Sequence, residues 1–169
     1  VFEKENIIAL NKGGKNITLE PGNQIELSGD KLNHMHEACA ESQDYLFELK
    51  QVTKKLDIKI VSAGFDPISK LNEIPGNPKQ RYELMTKDMP LGGELSLDMM
   101  YRTCGTQLNL DYETEEDFIK KFKVANSIVP IAIALFANSS IVEKKNSNYL
   151  SYRSKAVSYT HLRAHETAT

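Results

Sequence analysis

Ile17-Thr-Leu-Glu20-Pro-Gly-Asn-Gln24-Ile-Glu26-Leu-Ser28 is the stretch on which the fold class turns. Side chains alternate across a β-strand, so Glu20, Gly22, Gln24 and Glu26 fall on one face. Ile17, Leu19, Ile25 and Leu27 fall on the other, where they suit a packed core. Carboxylates and an amide on one face suit either solvent or a hard cation, because magnesium takes oxygen ligands from one or two carboxylates plus phosphate groups.

Upstream, Ile7 to Leu10 is a short apolar run, and Asn11-Lys-Gly-Gly-Lys-Asn16 separates it from the decisive stretch. Gly-Gly between two strand-like runs predicts a β-hairpin. The Gly-Gly-Lys lacks the GxxxxGK[ST] spacing of a nucleotide loop. Downstream, Ser28-Gly-Asp30 ends the strand. Leu32, Met35, Cys39, Ser42, Leu46, Leu49, Val52 and Leu56 then recur at helical steps, which predicts a long amphipathic helix with Asp30 as N-cap and Cys39 in the core. His34 and His36, two apart, point in different directions and make no metal pair.

Asp57 to Phe65 reads as a strand, and Asp66-Pro67 and Pro75-Gly-Asn-Pro78 punctuate a loop. Pro78 to Met85 is a helical stretch carrying Arg81. Leu95 to Asp111 reads as a long strand with Gly105 as a bulge. In it Leu108 and Leu110 alternate with Gln107, Asn109 and Asp111, so its polar face is either solvated or part of a concave polar surface. Thr114, followed by Glu115, Glu116 and Asp117, starts a second long helix. Its end, Ile128 to Ala137, is apolar nearly all round, which predicts burial, with a kink at Pro130. Asn138 to Asn148 reads as polar loop, with order resuming over Tyr149 to Ser154. The pattern is α+β: antiparallel strands interrupted by two long helices.

The chain has 169 residues, 26% of them charged, and a formal net charge of −2. No global basic field points to nucleic acid, and no apolar stretch is long enough for a membrane span. Two cysteines, Cys39 and Cys104, cannot build a disulfide framework, and no signal peptide is evident, so a reduced, cytoplasmic protein is expected. The chain lacks an initiator Met, and its character changes at Ala156. This predicts a fragment of a longer domain over residues 1–155 and a foreign tail over 156–169. Excluding the tail removes His161 and His165 as an apparent metal pair. No GxSxG, HExxH or dinucleotide glycine fingerprint occurs. Arg81, Arg102 and Arg153 are the arginines able to fork onto a carboxylate or phosphate.

EPGNQIELS (Glu20 to Ser28), HEACAE (His36 to Glu41), GFDP (Gly64 to Pro67), PKQRYELM (Pro78 to Met85), LDMMYRTCGTQLNLD (Leu97 to Asp111), ALFANS (Ala134 to Ser139) and LSYRS (Leu150 to Ser154) resemble, in order and spacing, the motifs of plant-type glutamate–cysteine ligases. The resemblance covers residues 5–155. It implies a partial glutamine-synthetase-like catalytic fold, an antiparallel sheet with flanking helices whose concave face holds Mg-ATP. It implies phosphorylation of the glutamate γ-carboxylate by ATP, then attack by the cysteine amine, with glutamate, cysteine and ATP as small-molecule substrates and Mg²⁺ as cofactor. By the same resemblance Glu20 and Glu26 hold Mg²⁺, and Gln107 and Asn109 are polar groups of the metal or nucleotide site. Arg81, Arg102 and Arg153 hold the glutamate carboxylates or the transferring phosphate, while Met100 and Thr103 line the amino-acid pocket.

Ile68-Ser-Lys-Leu71 stands where family members often carry Lys-Trp-Arg-Arg, Asn23 replaces a second glycine, and Gly105 replaces a more usual threonine. These departures touch fine substrate contacts rather than the metal carboxylates. The other readings are a related carboxylate–amine ligase with a different amine and a noncatalytic binding domain. The fragment alone is expected to be inactive, and its sequence does not give an oligomeric state.

Overall fold

The computed structural model describes residues 1–161, with side chains through Tyr159. His165, the side chain of His161 and most of the 156–169 segment lie outside the described residues. The chain forms two compact units, Val1–Ser62 with Pro75–Lys87, and Ala63–Ile74 with the chain from Asp88 onward. Helices and small antiparallel sheets make both, so the α+β class holds.

In the first unit, β1 (Phe2–Glu3) pairs with β2 (Asn6–Ile7), and β3 (Ala9–Lys12), β4 (Lys15–Glu20) and β5 (Gln24–Ser28) form an antiparallel sheet in that order. Gly13, at φ 63°, turns β3 into β4 as the Gly-Gly pair predicts. The decisive stretch is a hairpin rather than one strand: a 3₁₀ turn over Pro21–Asn23, with Gly22 at φ 72°, folds β5 back on β4. Pro21 fixes the first turn residue, and Gly22 supplies the left-handed backbone that a straight strand cannot contain. The face assignment survives because the register pairs Glu20 with Gln24, Thr18 with Glu26, and Leu19 with Ile25.

The first long helix, α1 (Met35–Lys55), begins later than Asp30 suggests. His34 is its N-cap, accepting a hydrogen bond from the Glu37 backbone at 3.4 Å through Nδ1. Asp30 instead lies in the loop, where its backbone N–H meets Glu41 Oε1 at 3.1 Å. Glu41 is buried on α1 and also pairs with Lys15 at 3.2 Å, which ties the helix to β4. Cys39 is exposed, not a core residue, and Leu46, Val52 and Leu56 of the apolar stripe are exposed too. Burial in this unit is shared between α1, at Glu41 and Thr53, and α2 (Gln80–Asp88), where Tyr82 is 2% exposed.

The second unit corrects the longest strand expectation. Ser96–Arg102 is a helix, α3. It contains no β-branched residue, and its Asp98 and Arg102 form an i,i+4 ion pair suited to the helix dipole. Gln107 and Asn109 follow on exposed chain outside any strand. Asp57–Phe65 also forms no strand; Phe65 alone makes an antiparallel bridge, to Thr103. Thr114 does cap α4 (Glu115–Leu135), accepting from the Asp117 backbone at 3.2 Å. The apolar end of α4 is exposed rather than buried, with Ile131 and Leu135 among the open side chains, and the helix continues through Pro130.

The expected 138–148 loop contains a tight hairpin, β6 (Ile141–Val142) with β7 (Lys145–Asn146), turned by Glu143 and Lys144 at positive φ. The last helix, α5 (Tyr152–His161), packs on α3 and crosses the expected boundary at 156, and Ala156 on it is fully buried. Among the described residues no helix is long and apolar enough to cross a membrane.

Candidate functional site

The motifs singled out in the sequence gather in two places, one in each unit. In the first unit, EPGNQIELS supplies the β4–β5 hairpin and PKQRYELM supplies the start of α2. Glu20 ends β4 on the polar face, and its carboxylate is the hub. Thr18 Oγ1 donates to Oε1 at 3.0 Å, Lys79 Nζ to Oε1 at 3.2 Å, and the Tyr82 hydroxyl to Oε2. Asn77 Nδ2 donates to the Glu20 carbonyl at 2.7 Å, which fixes the backbone at the turn. Burial pushes the Glu20 carboxyl up, but the bonds from Tyr82, Thr18 and Lys79 outweigh it and hold the group below its ordinary value. The Tyr82 phenol is pushed well above its usual range by burial and by the Glu20 carboxylate it faces, so it stays a neutral donor.

Glu26 lies diagonally across the hairpin from Glu20, because Thr18 is its register partner. Diagonal residues on one sheet face sit about 7–8 Å apart at Cα, within reach of long side chains. Glu26 is exposed and accepts from Ser28 Oγ at 3.4 Å. Arg81 is also exposed, with its guanidinium 4.7 Å from the Tyr82 ring centroid. Glu20, Glu26 and Arg81 thus belong to one unit.

In the second unit, GFDP, LDMMYRTCG, ALFANS and LSYRS meet around Phe65. The Arg102 guanidinium stacks 4.6 Å from the Phe65 centroid, and Tyr152 packs edge-on to the same ring at 4.9 Å. Arg102 is 3% exposed; Nη1 donates to Asp98 at 2.8 Å and Glu143 at 3.4 Å, while Nε and Nη2 find no partner among the described residues. The Asp66 backbone N–H donates to the Arg102 carbonyl at 2.8 Å. Arg102 therefore holds α3, the GFDP segment and the β6–β7 turn together.

Met100 is also buried on α3, and Thr103 ends that helix with its hydroxyl on the Met99 carbonyl at 2.6 Å. Arg153 on α5 lies against the backbone: a Cβ on Gly105 would stand 2.8 Å from its Nη2, and one on Gly64 3.4 Å from its Cδ. Gly105 is thus a close-approach glycine rather than a strand bulge. Gln107 and Asn109 bond each other at 3.1 Å on exposed chain outside any strand.

Lys79, Tyr82 and Asn77 were not singled out in the sequence. Lys79 and Tyr82 stand three apart at the start of a helix, which puts both on one side. That spacing was the available signal. Their partner, Glu20, is 62 residues from Tyr82, beyond any local pattern.

The model of glutamate-cysteine ligase family 2 matches residues 3–161, and the chain belongs to that family. Over 154 residues the chain is 48% identical to the chloroplastic glutamate–cysteine ligase of Nicotiana tabacum and 46% identical to chloroplastic glutamate–cysteine ligase A of Oryza sativa subsp. japonica. The chloroplastic enzyme of Solanum lycopersicum is 47% identical over the same length. Each match covers 91% of this chain, which spans about 30% of the length of these relatives. The cytoplasmic expectation is corrected by these names, since all three relatives are chloroplastic. A low cysteine count suits any reducing compartment, and a chain spanning this share of its relatives carries no information about a leader.

Proposed function

We propose that this chain is part of an ATP- and Mg²⁺-dependent ligase that joins the γ-carboxylate of glutamate to the amine of cysteine, the first step of glutathione biosynthesis. The observation that carries the reading is the family match across nearly the whole chain, with relatives named for that reaction. The proposed fold of the complete domain is glutamine-synthetase-like, with the β3–β4–β5 sheet as part of the catalytic sheet.

The donor set fits a hard cation. A carboxylate offers about four lone-pair sites. Thr18, Lys79 and Tyr82 engage three at Glu20, which leaves room for a monodentate metal contact. Glu26 projects from the same sheet face and is exposed. Two carboxylates with phosphate oxygens and water are what Mg²⁺ takes. When bound, the ion would neutralise charge on the nucleotide phosphates.

Glu20, fixed by its clamp, and Glu26, adjustable, would hold it. Arg81, exposed beside them, would meet an anionic oxygen. Arg153 is the candidate in the second unit for a glutamate carboxylate, with Gly64 and Gly105 giving it room. Arg102 supports that region from within the core, and Met100 and Thr103 shape it. Gln107 and Asn109 remain proposed polar contacts to substrate.

The chain by itself is proposed to be inactive, because its long helices leave apolar stripes exposed and it spans about 30% of its relatives. Replacing the matching segment of the tobacco enzyme by residues 3–161 tests the function. The chimera should release ADP dependent on both glutamate and cysteine. ADP release with another amine but not with cysteine would favour a related ligase, and no Mg-ATP binding would favour a binding domain.

A further inference from the structure

Lys79 is the one cation within bonding distance of Glu20 among the described residues, at 3.2 Å, and its side chain is 11% exposed. It is placed from several sides. Its backbone N–H donates to Asn77 Oδ1 at 2.9 Å, and Asn77 in turn binds the Glu20 carbonyl at 2.7 Å. Its ammonium sits 5.3 Å from the Tyr82 ring centroid, and the Tyr82 hydroxyl reaches the other oxygen of Glu20. A surface lysine has none of this framing.

A lysine ammonium is a compact charge on a flexible stem, which lets it change partners. A divalent ion at Glu20 and Glu26 would meet Lys79 as a like charge. Glu20 would then be neutralised by the ion, and the Lys79 ammonium would be available to a polyanion arriving with it.

We propose that Lys79 is a positioning residue that neutralises Glu20 while the metal is absent and passes to a nucleotide phosphate when metal and nucleotide arrive together. Lys79 therefore opposes binding of the free metal and favours binding of the metal–nucleotide pair. The inference rests on the metal reading of Glu20 and Glu26 given above. It assigns opposite signs to two affinities, which a purely structural lysine does not produce.

The test uses the full-length protein that contains this segment, with Mn²⁺ as a paramagnetic substitute for Mg²⁺ and a non-hydrolysable ATP analogue. Mn²⁺ binding is followed by electron paramagnetic resonance, without and with the analogue. Lys79→Met and Lys79→Gln should each bind Mn²⁺ alone more tightly, by about tenfold, the size of a nearby like charge removed from a water-rich site. Both should bind the analogue at saturating Mn²⁺ more weakly, by a similar factor. Lys79→Gln keeps a hydrogen-bond donor for Glu20, so the test stands if Lys79→Met fails to fold. Unchanged or parallel shifts in the two affinities overturn the role of Lys79. If Glu26→Gln leaves Mn²⁺ binding unchanged in the otherwise unaltered protein, the metal reading itself falls, and this inference with it.

Discussion

The Tyr82 hydroxyl donates its hydrogen bond to the Glu20 carboxylate, joining α2 to the end of β4 across 62 residues of sequence. Tyr82 is buried, so its ring supplies packing and its hydroxyl supplies register for the carboxylate. Tyr82→Phe keeps the ring and removes the bond. A hydrogen bond to a charged group contributes roughly 1.5–3 kcal/mol, and Glu20 is only partly buried, so a loss of about 1 kcal/mol is expected. Chemical unfolding of the full-length protein checks it, and an unchanged midpoint and slope would contradict it.

Glu20 also sets a direction with pH. Its folded carboxyl titrates below the ordinary value of 4.5, so the unfolded chain binds more protons than the folded one as the solution is acidified. Its contribution is fully present above 4.5 and is lost as pH falls through the lower folded value. Glu20→Gln should flatten part of the acid limb of stability between roughly pH 6 and pH 3, about one and a half units either side of the ordinary carboxylate value. Asp66, also held low against burial by the Ser69 and Ile68 backbone N–H groups and by Arg102, should keep part of the remainder. An acid limb identical in the variant would contradict the clamp.

Arg102 separates charge from shape. Its guanidinium is buried, with Nη1 paired to Asp98 and Glu143 and, among the described residues, no partner on Nε or Nη2. Arg102→Ala leaves Asp98 without its partner and opens a cavity, with an expected loss of about 3 kcal/mol or more. Arg102→Met fills the space under Phe65 without a charge to desolvate and should recover most of the loss. Equal instability of the two variants in thermal unfolding would show that the charge itself is required.

Gly105→Ala tests the placement of Arg153. The new Cβ would crowd the far end of a flexible side chain, so the stability cost should stay below about 1 kcal/mol. The guanidinium must shift, so KM for glutamate in the full-length protein should rise several-fold while kcat changes less. An unchanged KM would rule Arg153 out of the proposed glutamate contact.

The sequence made the polar face of the hairpin legible because alternation survives a turn whose register pairs Glu20 with Gln24. The Gly-Gly turn and the Thr114 cap were legible because both are set within a few residues. Ser96–Arg102 reads as strand because alternating polar residues further on, at Gln107 and Asn109, lend it a period, whereas in the structure it is a helix with Asp98 and Arg102 paired one turn apart. The periodic stripe of α1 and the nearly all-round apolar end of α4 say which surfaces are apolar but not whether this chain supplies their cover. The Lys79–Tyr82–Glu20 clamp stayed hidden because its halves lie on a hairpin and a helix far apart in the chain.

Glu26 is the more open of the two proposed metal carboxylates, so the most direct measurement is the Mg²⁺ dependence of cysteine-dependent ADP release by the full-length protein with and without Glu26→Gln. The half-saturating Mg²⁺ concentration should rise by about tenfold or more, the equivalent of roughly 1.4 kcal/mol of lost metal binding. An unchanged Mg²⁺ dependence, with turnover intact, would contradict a metal–nucleotide site on the hairpin face.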